Sequence, residues 1–191
     1  MEPHYPTVNI NGGQMDMVSV WPHSSLSMTN GEVDLMQVGS DIPVNITGGH
    51  VGNLYSGYYE STVHITNSIV NFRPEELEPI PFGEIKISDS FITGLTGFGN
   101  VNIEITGGII NPDSGGQVLM KENSSLKVLL PGHDDNYELT ELRQIIAIEN
   151  SLVELHAGLI EEIIADNDSL IKIYGSDFKY FSFEEIGSNG G

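Results

Sequence analysis

Residues 44–51, VNITGGHV, hold the phrase whose recurrence decides the fold. Val44 and Ile46 flank the polar Asn45, a small corner follows at Gly48 and Gly49, and Val51 restores the apolar side two positions later. Aligned on its first residue, the phrase returns in nine copies, beginning at Val8, Leu26, Val44, Val63, Ile85, Ile103, Leu126, Val153 and Ile171. The intervals are 18, 18, 19, 22, 18, 23, 27 and 18 residues. A period near 20 residues, sustained along a chain, marks a solenoid in which each repeat stacks on the last.

The alignment columns give the geometry. The first and third columns are apolar in every copy, while the second reads Asn9, Ser27, Asn45, His64, Lys86, Glu104, Lys127, Glu154 and Lys172, polar throughout. In-out-in alternation is the pattern of a half-buried strand, and its return in each copy stacks those strands above one another. The sixth column holds Gly13, Gly31, Gly49, Ser68, Ser90, Gly108, Pro131, Gly158 and Ser176, small or turn-forming residues suited to a corner. Past it the apolar side resumes at Met15, Val33, Val51, Val70, Ile92, Ile110, His133, Ile160 and Phe178, with His133 the one break. An eleventh column, Val18, Met36, Leu54, Leu95 and Ile163, extends the lining. Strings such as YYESTV, KENSSL, IENSLV and DNDSLI suggest a third short strand before the next copy, with Ser24, Ser61, Ser124, Ser151 or Ser169 two residues ahead of it.

These columns predict an all-β, right-handed parallel β-helix of about nine coils, 18–27 residues each, a rod on the order of 40 Å at the ~4.8 Å strand spacing. A hexapeptide left-handed helix needs an apolar residue every sixth position, and stepping from Val8 lands on Gln14. Leucine-rich and RTX-type signatures are absent. Irregular intervals favour the right-handed form, which accepts insertions at its corners. The solenoid spans residues 7–178, after an irregular lead-in at 1–6 and before a tail, or the start of a continuation, at 179–191.

Three coils are long: the fourth around 71–83 (NFRPEELEPIPFG), the sixth around 111–117 (NPDSGGQ) and the seventh around 129–143 (LLPGHDDNYELTELR), each surplus expected after the second strand. Loops on solenoids tend to line one binding face. The candidate binding residues are therefore Arg73, Glu75, Glu76, Asp113, Asp134, Asp135, Asn136 and Arg143, with Glu78 a further loop acid. The loop acids admit three readings: a Ca²⁺ site, with Asp134 and Asp135 beside Asn136 as the best cluster; a glycosidase carboxyl pair; or solvated loop charge.

Composition narrows the partners. With 27 acidic and 7 basic residues the formal charge is −20, so the long-range field repels nucleic acid and anionic membranes. There are no cysteines, which removes disulfides and thiol chemistry. No apolar run reaches the roughly 18 residues of a membrane span, and the start MEPHYPTVN has neither a basic nor an apolar leader region. The histidines show no zinc spacing, and His64 and His156, in outward columns, are expected to be exposed. Serine-nucleophile elbows and phosphate-binding loops are absent. The hydroxyl row Thr29, Thr47, Thr66, Ser88 and Thr106 lacks the T-x-T pairing of an ice-binding face.

With STVHITNSIV, VNIEITGGII and ENSLVELHAGLI in view, residues 7–178 resemble bacterial extracellular parallel β-helix repeat proteins of S-x-V-x-I-x-G-G-x-V type, within the pectin-lyase-like architecture. The closing IYGSDF is similar to a phrase that follows such arrays in surface-anchored proteins. The resemblance implies an extracellular or cell-surface protein, a leader lying outside this chain, and a non-catalytic structural, adhesive or glycan-contacting role. The alternative is a polysaccharide lyase or glycoside hydrolase acting from the loop face. Lyase relatives use bound Ca²⁺ and an arginine base, for which the loops offer Arg73 and Arg143. End-to-end association, or association within a parent protein, is a further expectation.

Overall fold

The structure is a computed structural model, and it describes residues 6–39, 41–56, 61–72, 83–97, 99–110, 117–129, 140–166, 168–175 and 177–183. These residues form sixteen strands: β1 (Thr7–Val20), β2 (Ser25–Val38), β3 (Pro43–Thr47), β4 (His50–Ser56), β5 (Thr62–Thr66), β6 (Ile69–Phe72), β7 (Glu84–Thr93), β8 (Thr96–Gly97), β9 (Asn102–Ile110), β10 (Gln117–Met120), β11 (Ser125–Leu129), β12 (Glu141–Ala147), β13 (Leu152–Leu155), β14 (Leu159–Ala165), β15 (Leu170–Ile173) and β16 (Asp177–Phe183). No helix occurs among the described residues. Every strand pairing is parallel.

The first ladder runs β1-β2-β3-β5-β7-β9-β11-β13-β15, and its register is the one the phrase predicts. Val8 pairs with Leu26, Leu26 with Val44, and so on through Val63, Ile85, Ile103, Leu126 and Val153 to Ile171. All nine expected rows are present. The two outermost have a neighbour on one side only, so seven are packed above and below, in keeping with a solenoid of about seven turns. Burial follows the same logic. First-column residues are buried from Leu26 to Val153, whereas Val8 and Ile171 at the ends are half-exposed. Stacking thus makes each coil's core out of its neighbours, which is why a single repeat could not fold alone.

The second ladder starts past the corner, where Met15, Val33, Val51, Val70, Ile92 and Ile110 stand in register. In the seventh coil the structure corrects the sequence reading. Leu142, not His133, pairs with Ile110 on one side and Ile160 on the other. The surplus of that coil therefore lies in the corner between β11 and β12, ahead of the second strand instead of after it. The lining continues unbroken, because an apolar residue was available once the insertion had passed.

The eleventh column is also fuller than expected. Phe72 pairs with Leu54, Val118 and Ile145 pair with each other, and Ile145 pairs with Ile163. Between columns eight and eleven the alternation breaks: Arg143 and Gln144 lie outside between buried Leu142 and Ile145, as do Glu161 and Glu162 between Ile160 and Ile163. Two successive outward side chains bend the strand around an edge of the core. The third face follows directly from that bend. Two of the strings expected to form it, KENSSL and IENSLV, open as turns instead: Ser124 and Ser151 donate their backbone N–H to the carbonyls of Lys121 and Ile148, and Glu122, Glu149 and Asn150 take positive φ. Acidic and amide side chains tolerate that left-handed backbone better than branched ones.

The serines at this turn divide by position. Ser24 and Ser169 bond the carbonyls of Trp21 and Asp166, and Ser61 bonds Gly39 at 2.6 Å. Ser124 and Ser151 are buried with no partner for Oγ, in a column that two other coils fill with buried Ile42 and Val101. An unpaired buried hydroxyl is unfavourable by about 1–3 kcal/mol. Ser124→Val and Ser151→Val should therefore each raise the melting temperature, by about 1 kcal/mol in stability. A lowered Tm in thermal denaturation would show that the hydroxyl makes a stabilising bond.

Candidate functional site

Of the residues expected to form a loop-face site, Arg73, Glu75, Glu76, Glu78, Asp113, Asp134, Asp135 and Asn136 lie outside the described residues, as does His133. Arg143 is described. It points outward from β12 and its Nε lies 3.8 Å from Oε2 of Glu161 on β14, both side chains about half-exposed. That is an ion pair between neighbouring strands, of a kind that contributes little to stability. No group of three or more His, Asp or Glu among the described residues is placed to hold a metal ion. His64 and His156 are not exposed as expected: both are half-buried, and their Nε2 atoms are shielded without a hydrogen-bond partner. At His156 the reason is visible, since the Tyr174 ring of the next coil stacks on it with centroids 4.4 Å apart and planes within 14°.

The described residues form a different feature, a shallow, wide-open groove along the first corner of the N-terminal coils. Its floor is made by glycines. A Cβ on Gly31 would meet the Gly13 carbonyl oxygen at 2.9 Å, and one on Gly49 would meet the Gly31 oxygen at 2.6 Å. All three glycines have positive φ, between 89° and 110°. At Gly31 and Gly49 the preceding corner lies too close for a side chain, and at all three the backbone conformation disfavours one. In the next coils the same column carries Ser68 and Ser90, with the positive φ moved one residue earlier to Asn67 and Asp89. The serine hydroxyls satisfy the corner instead: Ser68 Oγ accepts from the Gly48 N–H at 2.8 Å and donates to the Thr66 carbonyl at 2.7 Å. The groove therefore fades where serine replaces glycine.

No family model, curated protein or solved structure matches the chain. The walls of the groove must be read on their chemistry alone. On one side Gln14, Glu32, His50 and Ile69 follow one another in the column just past the corner. Gln14 Nε2 donates to Glu32 Oε2 at 2.7 Å, which tethers the carboxylate, and His50 Nδ1 lies 3.6 Å from Glu32 Oε1 on the other side. On the other side stand Asn30, whose Oδ1 accepts from the Gly31 N–H at 2.9 Å, and Asn67. The lining is amide, imidazole and one tethered carboxylate. Gln14, Glu32 and His50 were not singled out in the sequence, where the one signal for this feature is the run of glycine in the sixth column over three consecutive coils before serine takes over.

A second surface pattern lies on the first face. Lys86, Glu104, Lys127, Glu154 and Lys172 pair in register down five consecutive coils, alternating in sign, and they hold three of the seven basic residues. Opposite charges on adjacent strands of one face attract, whereas like charges there repel. Lys172 Nζ lies 2.9 Å from Glu154 Oε1. Its hydrogen bond holds the Glu154 carboxyl below its ordinary range, and the same bond raises Lys172. A lowered folded-state carboxyl stabilises above the ordinary value of 4.5 and loses this as pH falls through the folded value. The raised lysine stabilises below 10.5 and loses this as pH rises through the folded value. In K172M, Glu154 should titrate nearer its ordinary value, as followed by side-chain carboxyl NMR; an unchanged titration would remove Lys172 as the cause.

Proposed function

We propose that this chain is a non-catalytic β-solenoid module of the secreted or cell-surface, pectin-lyase-like kind, and that it contacts an extended, uncharged glycan along its glycine corner. The observation that carries the reading is the groove floored by Gly13, Gly31 and Gly49 and walled by Gln14, Asn30, Glu32, His50 and Asn67. Amide, imidazole and carboxylate groups supply both donors and acceptors for hydroxyl-rich ligands. Each coil advances about 4.8 Å along the rod, close to the length of one pyranose unit. A linear polysaccharide lying in the groove therefore meets equivalent columns at successive sugars. The −20 charge favours neutral chains over uronic-acid polymers.

The test is a glycan array followed by calorimetry on any hit, together with polysaccharide turnover with and without Ca²⁺. Neutral glycans should bind, and Gln14→Ala with His50→Ala should weaken binding at least tenfold without changing Tm. Binding that survives both substitutions would move the site elsewhere. Turnover abolished by Asp134→Ala would replace this reading with the catalytic alternative.

A further inference from the structure

Among the described residues, the core has a neighbouring coil on one side only at each end of the solenoid. Among the described residues β1 pairs only with β2, β15 only with β13 and β16 only with β14. Val8, Met15, Val18 and Ile171 are only partly covered, and Leu170, Ile173 and Tyr174 are 54%, 39% and 61% exposed. In the interior rows the equivalent first- and third-column positions are buried to 2% or less. Unpaired parallel edges backed by apolar residues are templates for further strands unless charge, proline or a bulge blunts them. Here Lys172 is the one charged residue in β15, and the first stretch of β1, Thr7 to Ile10, carries none.

We infer that the ends join head to tail, so that a second copy of this chain continues the rod. Three features of the fold favour that occupant. The end rows belong to the same column scheme, so continuing the register by one step sets Val8 over Ile171 and Ile10 over Ile173, apolar on apolar. The first and last intervals are both 18 residues, so the insertions that lengthen other coils lie in the interior of the rod. Charge in the second column does not oppose it: the same step sets Asn9 over Lys172, so no like-charged pair forms there. A contact between two different surfaces that repeats by translation along an axis does not close, so the product is an open linear assembly. The overall charge of −20 opposes it at low salt, and screening relieves that opposition.

Sedimentation equilibrium on the full chain, over a range of protein and NaCl concentrations, tests this. The weight-average mass should rise at least twofold, continuously and without a plateau at a closed oligomer, and should rise more at high salt. Val8→Asp and Ile173→Asp, each blocking one end, should each remain a single chain, while an equimolar mixture of the two should form a pair of chains and stop there. Circular dichroism checks that each variant keeps its β spectrum; if an aspartate variant unfolds, Val8→Lys and Ile173→Lys take its place, since a lysine stem reaches solvent more easily. A wild-type mass of one chain at every concentration and salt would overturn the inference. So would either folded variant associating on its own, which would mean a two-fold contact between like ends.

Discussion

Gly108→Val is expected to destabilise the fold by about 3 kcal/mol or more, enough to remove the folded state at physiological temperature if the total stability is ordinary. Gly108 occupies the sixth-column corner of β9 at a φ of 98°, a conformation that a β-branched residue avoids. The second cost is steric. A Cβ at this position would press against the Ser90 carbonyl oxygen and come within 2.6 Å of the Ser90 nitrogen. Those are backbone atoms of the coil below, so no rotamer change relieves the contact. The comparison that isolates the mechanism is Gly12→Ala, where positive φ remains but no atom lies within 4 Å of the added carbon. Chemical denaturation should rank wild type above Gly12→Ala and Gly12→Ala well above Gly108→Val. Equal losses at both sites would mean that backbone strain alone, and not the closeness of successive coils, sets the demand for glycine.

Leu126→Ala is the second large effect, with an expected loss of about 3–5 kcal/mol. Leu126 is fully buried and stands between Ile103 and Val153 in the first column. Truncation removes its own contacts and opens a space that both neighbours line. The rows above and below are fixed by their ladder hydrogen bonds and cannot collapse into it, which puts the site toward the upper part of the range. Ile171→Ala, in the same column at the half-exposed end row, should cost less than half as much. Urea titrations of the two variants check the ratio, and equal costs would contradict the difference in burial.

The legible part of the fold was the part set by alternation. Val44, Asn45 and Ile46 declare inward, outward and inward without reference to anything else in the chain, and eight further copies of the statement fix which strands stack and in which register. Positions where polarity does not decide were less legible. In IENSLV the residues suit a strand or a turn about equally, and only the three-dimensional closure of the coil, with Ile145 and Ala147 already lining the third face, makes it a turn. In the seventh coil a fixed spacing selected His133, whereas the chain waits until Leu142, because burial is enforced by the neighbouring coils and not by counting residues. The groove was hidden for another reason: it consists of side chains that are absent, and Gly13, Gly31 and Gly49 are as well explained by the corner as by a ligand. The charge ladder stood in the second column in plain view, but its meaning depends on adjacent rows being in contact.

The column register itself is open to a direct measurement, since the chain has no cysteine of its own. Glu104 and Lys127 pair across adjacent coils, where strand spacing of about 4.8 Å falls within the range a disulfide spans. The doubly substituted E104C/K127C protein should cross-link under mild oxidation while keeping its β spectrum. E104C/E154C, two coils apart at roughly twice that spacing, should stay reduced, as should E104C/L126C, where a shift of one residue turns the second side chain into the core. Rapid cross-linking in either control, or none in E104C/K127C, would contradict the stacked-column solenoid.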